Sequence, residues 1–276
     1  MKKILVIILA LLSNYVAIAQ LYDSDLELAL ALQGQNKYEE AIVVYTDVIR
    51  EDSINWVPWA NRGICYASLK DFKNAKLDFE RAILLAPNEP NLNLAIADFY
   101  GAILEPELAL YHYKNALNNQ AYFDALSYYN YGTIFFMEGN TDSAIIYLEK
   151  SWALDSTNSD VVNNLGWSYL DTEPQKACVY FNEAYLIDSL DASNVNNLGY
   201  SHLMCGDLEI AYSYFEKSEQ IDSTNSFVYR NYGLYYMYKN EKELACENMR
   251  KSIDLGIEEK WGTQYIIELK QYCEGE

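Results

Sequence analysis

Residues 56–89 read WVPWANRGICYASLKDFKNAKLDFERAILLAPNE. Small and apolar residues recur there at helical spacing in two stretches, separated by a polar turn. In the second stretch Ala75, Phe79 and Ala82 stand at i, i+4 and i+7, so they share one face of a helix. Gly63, in the first stretch, removes a side chain where two helices would meet and lets them approach closely. The unit therefore predicts a helix, a turn and a second helix packed back on the first.

The unit recurs. The step Asn61-Arg62-Gly63 returns as Asn130-Tyr131-Gly132, Asn164-Leu165-Gly166, Asn197-Leu198-Gly199 and Asn231-Tyr232-Gly233. An alanine follows twelve residues after most of these glycines, at Ala75, Ala144, Ala211 and Ala245; Ala177 comes one residue early. Four residues on stands a large apolar residue (Phe79, Leu148, Phe181, Phe215, Met249), and three further a small one (Ala82, Ser151, Ala184, Ser218, Ser252).

These positions resemble the tetratricopeptide repeat, whose pattern is W-x2-LG-x2-Y, then A-x3-F-x2-A and a closing P. Residues 56–89 carry Trp59, Gly63, Tyr66, Ala75, Phe79, Ala82 and Pro87 in register. The resemblance implies an all-α, helix-turn-helix repeat solenoid, a right-handed superhelix. Seven units are expected over residues 20–258, at about 22–55, 56–89, 90–123, 125–158, 159–191, 192–225 and 226–259. One helix pair cannot bury its own stripe, so neighbours must stack. Elsewhere Asp155-Ser156, Asp188-Ser189 and Asp222-Ser223 replace the closing proline; Asp and Ser suit both the turn and the cap of the next helix. The third unit is irregular, with Ala97 for glycine, Pro106 in its turn and the extra residue Asp124 after it, so a local change of twist is expected there. Residues 259–276 read as a capping helix and tail, with Trp261, Tyr265, Ile266 and Leu269 facing inward.

The first 19 residues are excluded from the fold. Lys2 and Lys3, the apolar run Ile4 to Leu12 and the exit Ala17-Ile18-Ala19 have the layout of a secretory signal peptide cut after Ala19. No cysteine lies near the cut to carry a lipid, and no later segment is long and apolar enough to span a bilayer. An exported, periplasmic or secreted chain is expected, with no integral membrane segment after cleavage. Without the two leader lysines the balance is 18 basic against 40 acidic residues, a formal −22. Such a surface repels polyanions, and there is no Lys/Arg cluster for nucleic acid.

Chemistry-bearing motifs are scarce. The chain has two histidines, His112 and His202. His202 and Cys205 at i, i+3 would make half a metal site, but His202 occupies a packing position of the repeat. Gly199-Tyr200-Ser201-His202 lacks the second glycine and the preceding strand of a hydrolase elbow. No glycine-rich phosphate loop occurs. Neither an enzyme nor a metal or other cofactor is expected.

Five cysteines remain. In the fold that the resemblance implies, the start of a second helix lies beside the end of the next unit's first helix. Cys178 and Cys205, and Cys246 and Cys273, would then meet at equivalent places 27 residues apart. Two structural disulfides, Cys178–Cys205 and Cys246–Cys273, are expected, the second pinning the cap; the alternative is four buried free thiols. Cys65 is expected as a buried free thiol.

The same resemblance places the first helices on the concave face. Position 6 of successive units is Asn61, Asn130, Asn164, Asn197 and Asn231. An amide donates and accepts, so a row of them suits an extended peptide backbone, as in the asparagine ladder of O-GlcNAc transferases, which the row resembles. Around it are placed Asn163, Asn196 and Arg230 at position 5, Trp167 and Tyr200 at position 9, and Met137, Met204 and Tyr238 at position 13. The competing reading is that the asparagines only satisfy their neighbours. Trp59 and Tyr169 are assigned to the core. The lysines of a carboxylate clamp are missing at the matching places, so a neutral or basic segment is expected rather than an acidic one. The function expected is a non-catalytic scaffold that binds a protein or extended peptide. The alternatives are a glycan-binding module using Trp167 and Tyr200, or an accessory subunit of an envelope enzyme or assembly complex.

Overall fold

A computed structural model describes residues 25–119, 123–257, 267 and 271–273. The expected signal peptide, and most of the expected cap including Trp261, Tyr265, Ile266 and Leu269, lie outside those residues. The described residues contain helices and no strand. The chain forms two compact units that meet in sequence at Phe123 and Asp124.

In the first unit α1 spans residues 25–34, followed by α2 (Tyr38–Glu51), α3 (Trp56–Ser68), α4 (Phe72–Leu85), α5 (Pro90–Ala102) and α6 (Pro106–Asn118). In the second, α7 (Ala125–Met137) pairs with α8 (Thr141–Leu154), α9 (Ser159–Tyr169) with α10 (Pro174–Ile187), α11 (Ala192–Cys205) with α12 (Leu208–Ile221), and α13 (Ser226–Tyr238) with α14 (Lys242–Asp254). Within each unit, every pair also packs on the next.

The repeated positions are the core. Ala75, Ala144, Ala177, Ala211 and Ala245 are fully buried, and so are Phe79, Leu148, Phe181, Phe215 and Met249 to within a few per cent. The glycines face these large residues. A Cβ on Gly166 would sit 2.7 Å from the Phe181 ring, one on Gly199 2.8 Å from Phe215, and one on Gly132 3.0 Å from the backbone nitrogen of Leu148. Each glycine thus sets the depth to which its second helix sinks. Ser151 and Ser218, at the small positions, donate at 2.7 Å to the carbonyls of Ala125 and Ala192, closing each pair from the far end.

The joints differ from the Asp-Ser expectation. Asp155, Asp188 and Asp222 do break their helices, accepting backbone N–H bonds from Thr157, Leu190 and Thr224. The caps of the following helices, however, are Asn158, Asp191 and Asn225, three residues on, and not the serines. Asp52 and Asn55 repeat this punctuation before α3. The extra residue Asp124 is also a cap: its carboxylate accepts from Ser127 N at 2.8 Å at the start of α7.

Within most pairs the chain turns through one left-handed residue: Asn36, Lys70, Leu104, Gly139, Gly206 and Asn240 all have φ between 59° and 86°. The α9–α10 joint, where Ala177 comes early, has no such residue among those described. Asparagine and glycine suit that conformation, whereas leucine at φ 60° is strained. Leu104 is also 70% exposed, so little packing is lost with its side chain. The left-handed strain of ~1–2 kcal/mol exceeds the extra backbone entropy of a glycine, about 0.5–1 kcal/mol, so Leu104→Gly is expected to raise stability, read as a higher urea midpoint at unchanged slope.

Candidate binding groove

The first helices of the second unit leave a cleft of about 750 Å³. α9 contributes Asn164 and Trp167, α11 contributes Asn196, Asn197 and Tyr200, and α13 contributes Phe227 and Arg230. Three of these side chains form one stack. The Trp167 and Tyr200 rings lie 5.5 Å apart at 28°, and the Arg230 guanidinium sits 5.5 Å over the Tyr200 ring. Trp167 also rests edge-on against Phe181, 5.4 Å away, so the stack stands on the repeat core. Charge is sparse: Asp171 and Arg230 are the charged side chains of the lining.

The asparagines do less toward a ligand than a ladder requires. Asn231 Nδ2 donates to Asn196 Oδ1 at 3.0 Å, and Asn197 Nδ2 to Asn163 Oδ1 at 3.2 Å. Position 6 of one unit thus holds position 5 of the unit before. Asn163 in turn donates to Asn194, which donates to the carbonyls of Ala184 and Asp188. Asn164 donates to Thr133 Oγ1 at 3.1 Å, again in the preceding unit. A buried amide that loses its partners costs about 1–3 kcal/mol, so this lattice fixes the stacking of α7, α9, α11 and α13. The amide nitrogen of Asn196 and the carbonyl oxygen of Asn197 are the ends not committed to it.

Six of the expected groove residues line the cleft together: Asn164, Trp167, Asn196, Asn197, Tyr200 and Arg230. The others are placed differently. Asn163 and Asn231 do not line the cleft and belong to the amide lattice, buried like Asn196, which does line it. Their amide partners explain this: Asn163 bonds Asn194 and Asn197, and Asn231 bonds Asn196, all on the neighbouring helix α11. Asn61 belongs to the first unit and donates to the Val57 carbonyl of its own helix. Asn130 is half-buried on α7 and does not line the cleft. Met137, Met204 and Tyr238 are exposed at the helix ends, outside the lining. Tyr200 is 8% exposed and is engaged by Trp167 and Arg230, so it is no open platform for a sugar ring. Tyr169 is buried as expected, whereas Trp59 is only half-buried, with Arg62 and Arg81 against its ring.

Phe136, Thr141, Ser168, Thr172 and Phe227 also line the cleft, and sequence reasoning missed them. They lie at helix ends or in joints, where repeat position does not predict direction. His202 stacks on Tyr214 at 5.7 Å and faces Asp207, its Nδ1 3.3 Å from Oδ2. Among the described residues no three His, Cys, Asp or Glu side chains converge to hold a metal ion, and no helix is long and apolar enough to cross a membrane.

The two cysteine pairs are not equivalent. Cys246 and Cys273 are bonded, with Cα atoms 5.7 Å apart. The expected Cys178–Cys205 bond is absent: the sulfurs lie 3.2 Å apart as thiols. Cys65 is a fully buried thiol in α3, and burial pushes its pKa up to about 11.

Residues 57–89 and 125–158 each match a family model described as Tetratricopeptide repeat. Comparison by sequence with the curated proteins gives no match. Among solved structures, the fold is similar to a chain of the APC/C hetero-tetramer Cut9–Hcn1, with TM-score 0.64 and 19% identity over 87% of this chain and 48% of that one. This chain therefore spans about half the length of that relative. A tetratricopeptide repeat protein from Parabacteroides merdae is similar over 92% of this chain and 99% of its own, at TM-score 0.64 and 16% identity. YrrB, described as a TPR protein with an unusual peptide-binding site, is similar over 67% and 95%, at TM-score 0.59 and 17% identity. At these identities the likeness is one of fold.

Proposed function

We propose, for a chain that carries tetratricopeptide repeats at 57–89 and 125–158, that it is a non-catalytic scaffold gripping an extended segment of a partner protein in the α9–α11–α13 cleft. The repeat fold itself supports a role in protein interaction. The observation that carries the finer reading is the Trp167–Tyr200–Arg230 stack, held rigid on Phe181 inside a cleft of about 750 Å³. Clefts of ~300–1,000 Å³ lined by aromatics with a few polar groups are typical ligand sites, and Trp, Tyr and Arg dominate binding energy at protein interfaces. The Asn197 oxygen, on a half-buried side chain, offers an acceptor to a peptide backbone. YrrB's description as a peptide binder and the presence of a similar fold in the Cut9–Hcn1 assembly are consistent with this use. The acidic exterior favours a neutral or basic partner away from the cleft. We also propose export, on the Lys2-Lys3 start, the apolar run Ile4 to Leu12 and the Ala17-Ile18-Ala19 exit; N-terminal sequencing of the native protein is then expected to begin at Gln20.

Selection of displayed random peptides on the mature chain supplies a ligand to titrate. Trp167→Ala is expected to weaken it at least tenfold, about 1.4 kcal/mol, and Asn197→Ala several-fold, with helical content unchanged by circular dichroism. Affinities within twofold of the parent chain for both variants would reject the cleft as the binding site.

A further inference from the structure

We propose that Cys178 and Cys205 are a reversible thiol–disulfide site that clips α10 to α11, distinct in behaviour from Cys246–Cys273. The two sulfurs lie 3.2 Å apart, and Cys178 also donates to the Ser201 carbonyl at 3.8 Å. A disulfide needs ~2.05 Å, so closure asks for an approach of about 1.2 Å. Cys205 is the last residue of α11, with Gly206 at φ 86° behind it. A helix terminus ending in such a turn absorbs that movement without disturbing the core.

Access separates this pair from the other cysteines. Cys205 is exposed and Cys178 half-buried, whereas Cys246 is 5% exposed and Cys65 fully buried. Among the free thiols, a dissolved disulfide reaches this pair and not Cys65. The hydrogen bond with Cys178 pushes the Cys205 thiol up to about 11, so little thiolate is present at neutral pH and exchange is slow.

The oxidant is any small or protein disulfide, R–S–S–R. A thiolate of the pair attacks one of its sulfurs, forming a mixed disulfide and expelling R–S⁻. The second thiol gives its proton to water and attacks the protein sulfur of the mixed disulfide, expelling the second R–S⁻. Two protein thiols and one external disulfide become one protein disulfide and two R–SH, with two electrons passing outward; reduction is the reverse. Ser193, Asn196, Asn197 and Tyr200 line the cleft from the same helix as Cys205. Closure would therefore tie the wall of the cleft to the helix behind it.

The test equilibrates the full mature chain in glutathione buffers of increasing oxidised fraction, blocks free thiols and maps the digest by mass spectrometry. The expected result is a peptide joining Cys178 to Cys205 whose abundance follows the buffer, with Cys65 unlabelled until the protein is unfolded and a melting midpoint several degrees higher when oxidised. Both cysteines blocked at the most oxidising ratio, or each carrying a single glutathione with no joined peptide, would overturn the proposal. Stepwise reduction of the native oxidised chain should open Cys178–Cys205 before Cys246–Cys273, and the opposite order would equally overturn it. Cys205→Ser, at an exposed position, should leave Cys178 as a stable mixed disulfide with glutathione; its pairing with another cysteine would contradict the assignment.

Discussion

Asp78→Ala is expected to destabilise the first unit by about 3–5 kcal/mol. Asp78 on α4 holds Arg62 on α3 through two bonds, to Nε at 2.7 Å and to Nη2 at 2.8 Å. Only 5% of its side chain and 13% of that of Arg62 reach solvent. The guanidinium also donates to Thr46 Oγ1 in α2 at 2.9 Å and lies 5.1 Å from the Trp59 ring. Removing the carboxylate leaves a cation trapped among packed helices, and the desolvation cost stands without its partner. Removing both charges, as in Arg62→Leu with Asp78→Leu, should recover most of the loss, because a well-packed apolar pair is often neutral in such a site. Urea unfolding followed by circular dichroism measures both. A single variant that costs under about 1 kcal/mol would mean that water reaches the pair and that it behaves as a surface bridge.

Phe181→Ala should cost a similar ~3–5 kcal/mol in the second unit, and here the loss extends to the cleft. Phe181 is fully buried, its ring filling the place that Gly166 leaves open and supporting Trp167 edge-on. Truncation leaves a void under the aromatic stack. Peptide affinity should fall together with stability, although Phe181 does not line the cleft. The pairing with Gly166 gives a sharper check. Gly166→Ala alone forces a methyl to within 2.7 Å of the ring and should cost ~1–3 kcal/mol. In a Phe181→Leu background the same change should cost clearly less, because the two sites share one space. Equal costs in both backgrounds would show that the glycine does not set the approach of α9 and α10.

How far the molecule was legible in its sequence depends on the range of the interaction involved. The helix pairs follow from local periodicity: Ala75, Phe79 and Ala82 lie on one face whatever surrounds them, and Gly63, Gly132, Gly166, Gly199 and Gly233 mark where the pairs close. The N-caps at Asn158, Asp191 and Asn225 were legible too, since they stand three residues after the helix-breaking aspartates, although Ser156, Ser189 and Ser223 have the same capping chemistry. The inward row was only partly legible. Repeat position brought Trp167, Tyr200 and Arg230 to one wall. It could not say that Asn163 and Asn231 would turn from the cleft to bond neighbouring amides, because that choice depends on partners some 31–35 residues away.

The sequence by itself determined the all-helical repeat, its pairing and the faces it buries, because these follow from helix geometry and the removal of apolar surface from water, both of short range. The tertiary structure alone decided which polar side chains satisfy one another and which remain for a ligand. It likewise decided which cysteine pair is bonded and which stands open. Those outcomes turn on ångström-scale placement of groups from different helices, and two pairs with the same spacing of 27 residues therefore reach different states.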